Sequence, residues 1–89
     1  MKAVITVVGK DQIGILALIA NECAKAKINI ADVSQTILDG IFTMTMVVEF
    51  NEESVGLSEF SDYMKSVGEA KGLIIRVMNQ AIFDSMHRI

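Results

Sequence analysis

Residues 3–8, Ala-Val-Ile-Thr-Val-Val, form an unbroken β-branched run closed by Gly9. That pattern predicts a strand central in its sheet or covered on both faces. From Gly14 the period changes. Apolar residues recur at Ile15, Leu16, Ile19, Ala20, Cys23 and Ala24 or Ala26, with Asn21, Glu22 and Lys25 on the other side, as an amphipathic helix requires. Lys25 and Lys27 suit the negative end of its dipole. Residues 28–40 are again β-branched and close on Asp39-Gly40, a strong hairpin signal. The return strand, residues 41–50, alternates cleanly. Phe42, Met44, Met46, Val48 and Phe50 face one way; Ile41, Thr43, Thr45, Val47 and Glu49 face the other.

After a polar segment at residues 51–54, Leu57, Phe60, Met64 and Val67 mark a second amphipathic helix, with Gly72 as its stop. Residues 73–79, Leu-Ile-Ile-Arg-Val-Met-Asn, read as a fourth strand. The tail, residues 80–89, sets Ile82, Phe83, Met86 and Ile89 along one side of a short helix. The order β-α-β-β-α-β is the split-βαβ, ferredoxin-like α+β motif: an antiparallel sheet with two helices on one face. The expected strand order is 4-1-3-2, with the second and fourth strands as edges. One domain over residues 1–89 is expected, a core of residues 1–79 and a helical extension of residues 80–89.

Composition narrows the function classes. The 89 residues are 52 % apolar, more than so small a core needs, which points to a partner surface. A homodimer or a larger even-numbered assembly is expected. The net charge of −3 carries no basic footprint for nucleic acid. No apolar run reaches the ~20 residues of a membrane span, and residues 1–9 lack a signal-peptide cleavage pattern. The single Cys23 suits a reducing compartment, so a cytoplasmic protein is expected, with the thiol a small buried hydrophobe.

Catalytic chemistry finds no set of residues to carry it. A metal-carrying version of the fold needs paired thiols in the first loop, where this chain has Gly9-Lys10-Asp11-Gln12-Ile13-Gly14. An RNA-binding version needs stacking aromatics that the first strand lacks. A phosphate hydrolase needs an arginine fork where Lys10 stands. His87, the sole histidine, lies in the tail, and Glu52–Glu53 look like N-terminal charge for the second helix. No catalytic residue, metal ligand or cofactor is expected. Binding remains. The first loop opens the first helix, whose unpaired N–H groups attract a carboxylate or phosphate. Gly14 permits close approach to the backbone. Asp11 either receives an ammonium group or caps the helix.

Residues 7–35 resemble the start of an ACT domain, a small regulatory module of many amino-acid-metabolism enzymes. The family's first loop, typically Asp-Arg-Pro-Gly-Ile/Val-Leu, becomes Asp11-Gln12-Ile13-Gly14-Ile15-Leu16, and its Asn-Ile pair at the second strand becomes Asn29-Ile30. The ending Ile-Phe-Asp-Ser-Met-His-Arg-Ile resembles short free-standing bacterial members. The resemblance implies an amino-acid effector site at a dimer interface, with Asp11 to Leu16 from one chain, Gly14 nearest the ligand, and Asn29 and Ile30 from its partner. Gln12 in place of Arg and Ile13 in place of Pro leave the loop less stiff, which points to weak binding. The alternative is a protein-interaction module with a vestigial loop. A small enzyme using Asp11 and His87 across the dimer is a third reading.

Overall fold

A computed structural model describes residues 1–86. The elements are β1 (Lys2–Lys10), α1 (Ile15–Lys25), β2 (Ile28–Leu38), β3 (Ile41–Phe50), α2 (Leu57–Lys71), β4 (Leu73–Asn79) and α3 (Gln80–Met86). The four strands form one antiparallel sheet in the order β2-β3-β1-β4, the expected order read from the other edge. β1 is central, as its continuous apolar run requires.

Alternation sets the layers. Ala3, Ile5 and Val7 of β1, the even-numbered residues of β3, and Leu73, Ile75 and Val77 of β4 face inward. They pack against Ile15, Ile19 and Cys23 of α1 and Phe60 and Met64 of α2. Phe50 and Phe60 meet edge to face, with ring centroids 5.8 Å apart, a favoured aromatic geometry. Asp39 and Gly40 both have positive φ, 52° and 78°, the backbone of a two-residue type I′ hairpin.

The segment at residues 51–54 has a different role from the expected helix charge. α2 begins at Leu57, with Glu59 as the acid of its first turn. Asn51 Nδ2 and Ser54 Oγ instead donate to the carbonyl of Lys27, at 3.0 and 2.8 Å, and Glu53 pairs with the Lys27 ammonium at 3.6 Å. Lys27 has φ 60°, a conformation that L side chains resist by roughly 1 kcal/mol. The clamp holds that turn and fixes where β2 starts.

Two other expectations need correction. Glu22, assigned to the polar side of α1, is buried, because the neighbouring α2 supplies Tyr63, whose hydroxyl donates to Glu22 Oε1 at 2.9 Å. The tail helix does not bury its apolar side. Asn79 Oδ1 caps α3 by accepting from the Ala81 amide at 2.8 Å, and α3 turns back over the face of β1 and β4 opposite α1 and α2. Phe83 is half-buried there, while Ile82 and Met86 are exposed. His87 and Ile89 lie outside the described residues.

Candidate ligand-binding loop

The loop between β1 and α1 is held at two points. The Asp11 amide donates to the Gly40 carbonyl at 2.8 Å, tying the loop to the β2–β3 turn. Gln12 Nε2 donates to the Lys71 carbonyl at 3.1 Å, tying it to the end of α2. These bonds do some of the stiffening that Pro would supply, so the loop is less free than its sequence suggests.

Asp11 does not cap α1. Gly14 occupies the N-cap position with φ 84° and ψ 15°, no side chain accepts from the helix amides, and the first turn holds no acid. The first helical bond runs from the Leu18 amide to the Gly14 carbonyl at 2.9 Å. The amides ahead of it therefore present uncompensated positive partial charge. A side chain at Gly14 would meet nothing within 4 Å, so the approach to these donors is open. Lys71 lines the same depression and adds a cation.

The expected residues do not all contribute alike. Ile15 is buried in the core and offers only its backbone, whereas Asp11, Gln12, Ile13, Gly14 and Leu16 are exposed. The depression beside the loop holds about 80 Å³, well short of the roughly 300 Å³ at which ligand pockets begin. Asn29 and Ile30 are also exposed, yet they stand at the far end of α1, beside the Lys27 clamp, in a separate depression of about 390 Å³. Eleven helical residues, about 16 Å of axis, separate the two groups within one chain.

Elsewhere, burial and the neighbouring Glu22 charge push the Cys23 thiol up to about 11, so it stays protonated and inert at neutral pH. The Glu22 hydrogen bond likewise holds the Tyr63 hydroxyl above the usual tyrosine range. Among the described residues no three His, Cys, Asp or Glu side chains come together as metal ligands, and no helix is long and apolar enough to cross a membrane.

Comparison with known proteins agrees with this architecture. A model of the ACT domain family matches residues 2–78. The chain is 43 % identical to a UPF0237 protein of Corynebacterium diphtheriae, over 89 residues and 100 % of both sequences. It superposes on an ACT domain protein from Streptococcus pneumoniae with a TM-score of 0.82 at 39 % identity, over 94 % of each chain. A formyltetrahydrofolate deformylase from Pseudomonas putida matches with a TM-score of 0.78 at 10 % identity, covering 89 % of this chain and 29 % of that one. That last likeness is one of fold alone.

Proposed function

This chain belongs to the ACT domain family, and from that premise we propose that it is a regulatory domain that binds an amino acid between two copies of itself. The observation that carries the reading is the open edge of β2. All of β2 except Ile28 is exposed, and the strand holds neither Pro nor Lys to deter pairing. Ile30, Val33 and Ile37 pair with inward-facing Val48, Met46 and Phe42, yet they remain 37, 37 and 57 % exposed. At the other edge α2 packs against β4, with a groove of about 450 Å³ between them. Ser61 Oγ lies 3.5 Å from the Val77 carbonyl, and Gly68 abuts Leu73 and Ile75.

Antiparallel pairing of β2 with a second β2, about a two-fold axis normal to the sheet, lays the end of one strand beside the start of the other. The loop is bonded to Gly40, just past the end of β2, and Asn29 and Ile30 lie at its start. Pairing thus joins two groups that one chain keeps apart, and supplies the missing wall. The ligand carboxylate would sit on the α1 amides, the ammonium on Asp11, and the Asn29 amide of the other copy would close the site. The unpaired, protonated thiol of Cys23 suits the reducing cytoplasm.

Calorimetry with the individual amino acids tests the reading. At least one should bind in the micromolar to millimolar range, as roughly ten heavy atoms allow, and Asp11→Asn should weaken it at least tenfold. Gly14→Val is a poorer probe, because the positive φ makes any side chain there strained. Absence of binding at millimolar concentration, or binding unaffected by Asp11→Asn, would replace this reading with a protein-interaction module built on β2.

A further inference from the structure

We propose that the outer face of the sheet is a second self-association surface, on which α3 of one copy packs over the half of the face that the other copy's own α3 leaves open. Alternation sends Lys2, Val4, Thr6, Val8 and Lys10 of β1 to this face, away from α1 and α2. Val4 and its neighbour Met78 lie in one cross-strand row, and Val8 and Ile74 in another two rows along. The two rows are alike in sequence and unlike in environment. Val4 is 1 % exposed, whereas Val8 is 37 % and Ile74 60 % exposed.

Helix length explains the difference. Seven residues of α3 span about 10 Å, while the nine residues of β1 span about 30 Å. α3 therefore shields one end only. The open end carries apolar side chains from all four strands, Val8, Ile41, Leu38 and Ile74, an unusual concentration for a face meant to meet water.

A two-fold axis lying across the strands, just above this face, exchanges the two ends of the sheet. It carries α3 of one copy over Val8 and Ile74 of the other, and the reverse follows by symmetry. The chemistry on the two sides matches. α3 brings exposed Ile82 and Met86, and its single charge is Asp84. The basic groups of the receiving face outside the shielded end are Lys10 and Arg76, both exposed. This axis is perpendicular to the one relating paired β2 edges, and where the two axes cross, the two interfaces together close a four-chain assembly with D2 symmetry. The outer-face contact does not require the ligand site.

Sedimentation equilibrium of the full chain reads the inference directly. Wild type is expected to have the mass of four chains. Arg76→Glu, or Asp84→Arg, should reduce it to two, raising the dimer–dimer dissociation constant roughly tenfold or more. The double variant Arg76→Glu/Asp84→Arg should restore four. Ile74→Lys, at an exposed position where folding is not at stake, should also give two. Val33→Asp, on the β2 edge, separates the interfaces. A wild-type dimer dissociated by Val33→Asp and untouched by Arg76→Glu and Ile74→Lys would overturn the outer-face contact. A dimer with the opposite response would support it and overturn β2 pairing instead. A four-chain mass unchanged by Arg76→Glu and Ile74→Lys, or a double variant that fails to reassociate, would also overturn it.

Discussion

Replacing Gly68 by alanine tests how closely α2 sits on β4. Gly68 lies in the last turn of α2 and is buried. A Cβ built there stands 2.6 Å from the Leu73 carbonyl oxygen, and 3.0 and 3.2 Å from Cγ1 and Cδ1 of Ile75. The first contact is about 0.8 Å short of ordinary van der Waals distance, and a backbone oxygen cannot rotate aside as a side chain can. Two effects oppose each other. Alanine favours a helix over glycine by about 1 kcal/mol. Overpacking costs about 1–3 kcal/mol, and a rigid backbone partner belongs in the upper half of that range. The clash wins. Gly68→Ala should lose about 1–2 kcal/mol, lowering the melting temperature by roughly 5–10 °C for a domain of this size. Gly9→Ala is the internal comparison. Its Cβ meets the Leu73 Cδ2 methyl at 2.7 Å, a side-chain end that can give way, and its nearest backbone contact, the Gly72 carbonyl oxygen, is at 3.2 Å rather than 2.6 Å, so the loss there should be smaller. Urea unfolding of both variants decides the matter. An unchanged or raised midpoint for Gly68→Ala would mean that α2 is free to lift from β4.

Cys23 gives a pH signature. Its folded-state pKa, pushed from 9.0 up to about 11 by burial and then by Glu22, means that the unfolded chain releases the thiol proton first. The thiol's contribution to stability is complete below pH 9 and is lost as pH climbs from 9 to 11, a fall of about 2 kcal/mol. Cys23→Ala should remove that slope, and equal wild-type and variant slopes in urea titrations would refute it. Removing residues 80–89 should uncover Val4 and Met78 and lose the half-buried Phe83, costing about 2–4 kcal/mol. The shortened chain should stay folded but melt roughly 10–20 °C lower. An unchanged melting curve, or a chain with no cooperative transition, would contradict the covered-and-open division of the outer face.

The order of elements and the order of strands were legible because each segment obeys one period without ambiguity. Every even-numbered residue of 41–50 is a large apolar one and faces inward, and Leu57, Phe60, Met64 and Val67 keep helical spacing throughout. Asp39-Gly40 fixes the hairpin by backbone sterics, a strictly local cause. What could not be read depends on register between distant segments. Nothing near Glu22 in sequence announces Tyr63, forty-one positions on. Nothing in the polar segment at residues 51–54 announces that its amide and hydroxyl will meet the carbonyl of Lys27. Val4 and Val8 differ only in which lies under α3, and a seven-residue helix is too short for its periodicity to reveal which side turns inward.

The loop itself shows why a motif can be legible while its mechanics are not. Residues 11–16 suggest, from local chemistry, a glycine-opened helix start with an acid three positions before the glycine. Whether Asp11 is spent as a cap depends on backbone direction, and the left-handed Gly14 at the N-cap turns the chain so that no side chain reaches the amides. The missing Pro reads in sequence as lost rigidity. In the fold, bonds to Gly40 and Lys71 pin the loop from opposite sides, and each net bond is worth about 1 kcal/mol. That is comparable with the roughly 0.4–1 kcal/mol that a compatible proline supplies by restricting the unfolded chain. The two devices differ in kind. Proline acts on the unfolded chain everywhere, whereas these bonds act only when α2 and the β2–β3 turn are in place. The loop's order is thereby coupled to the two elements that border the two edges of the sheet. A ligand that orders the loop should therefore stabilise the whole domain, and pairing at β2 should raise affinity even without a new contact to the ligand.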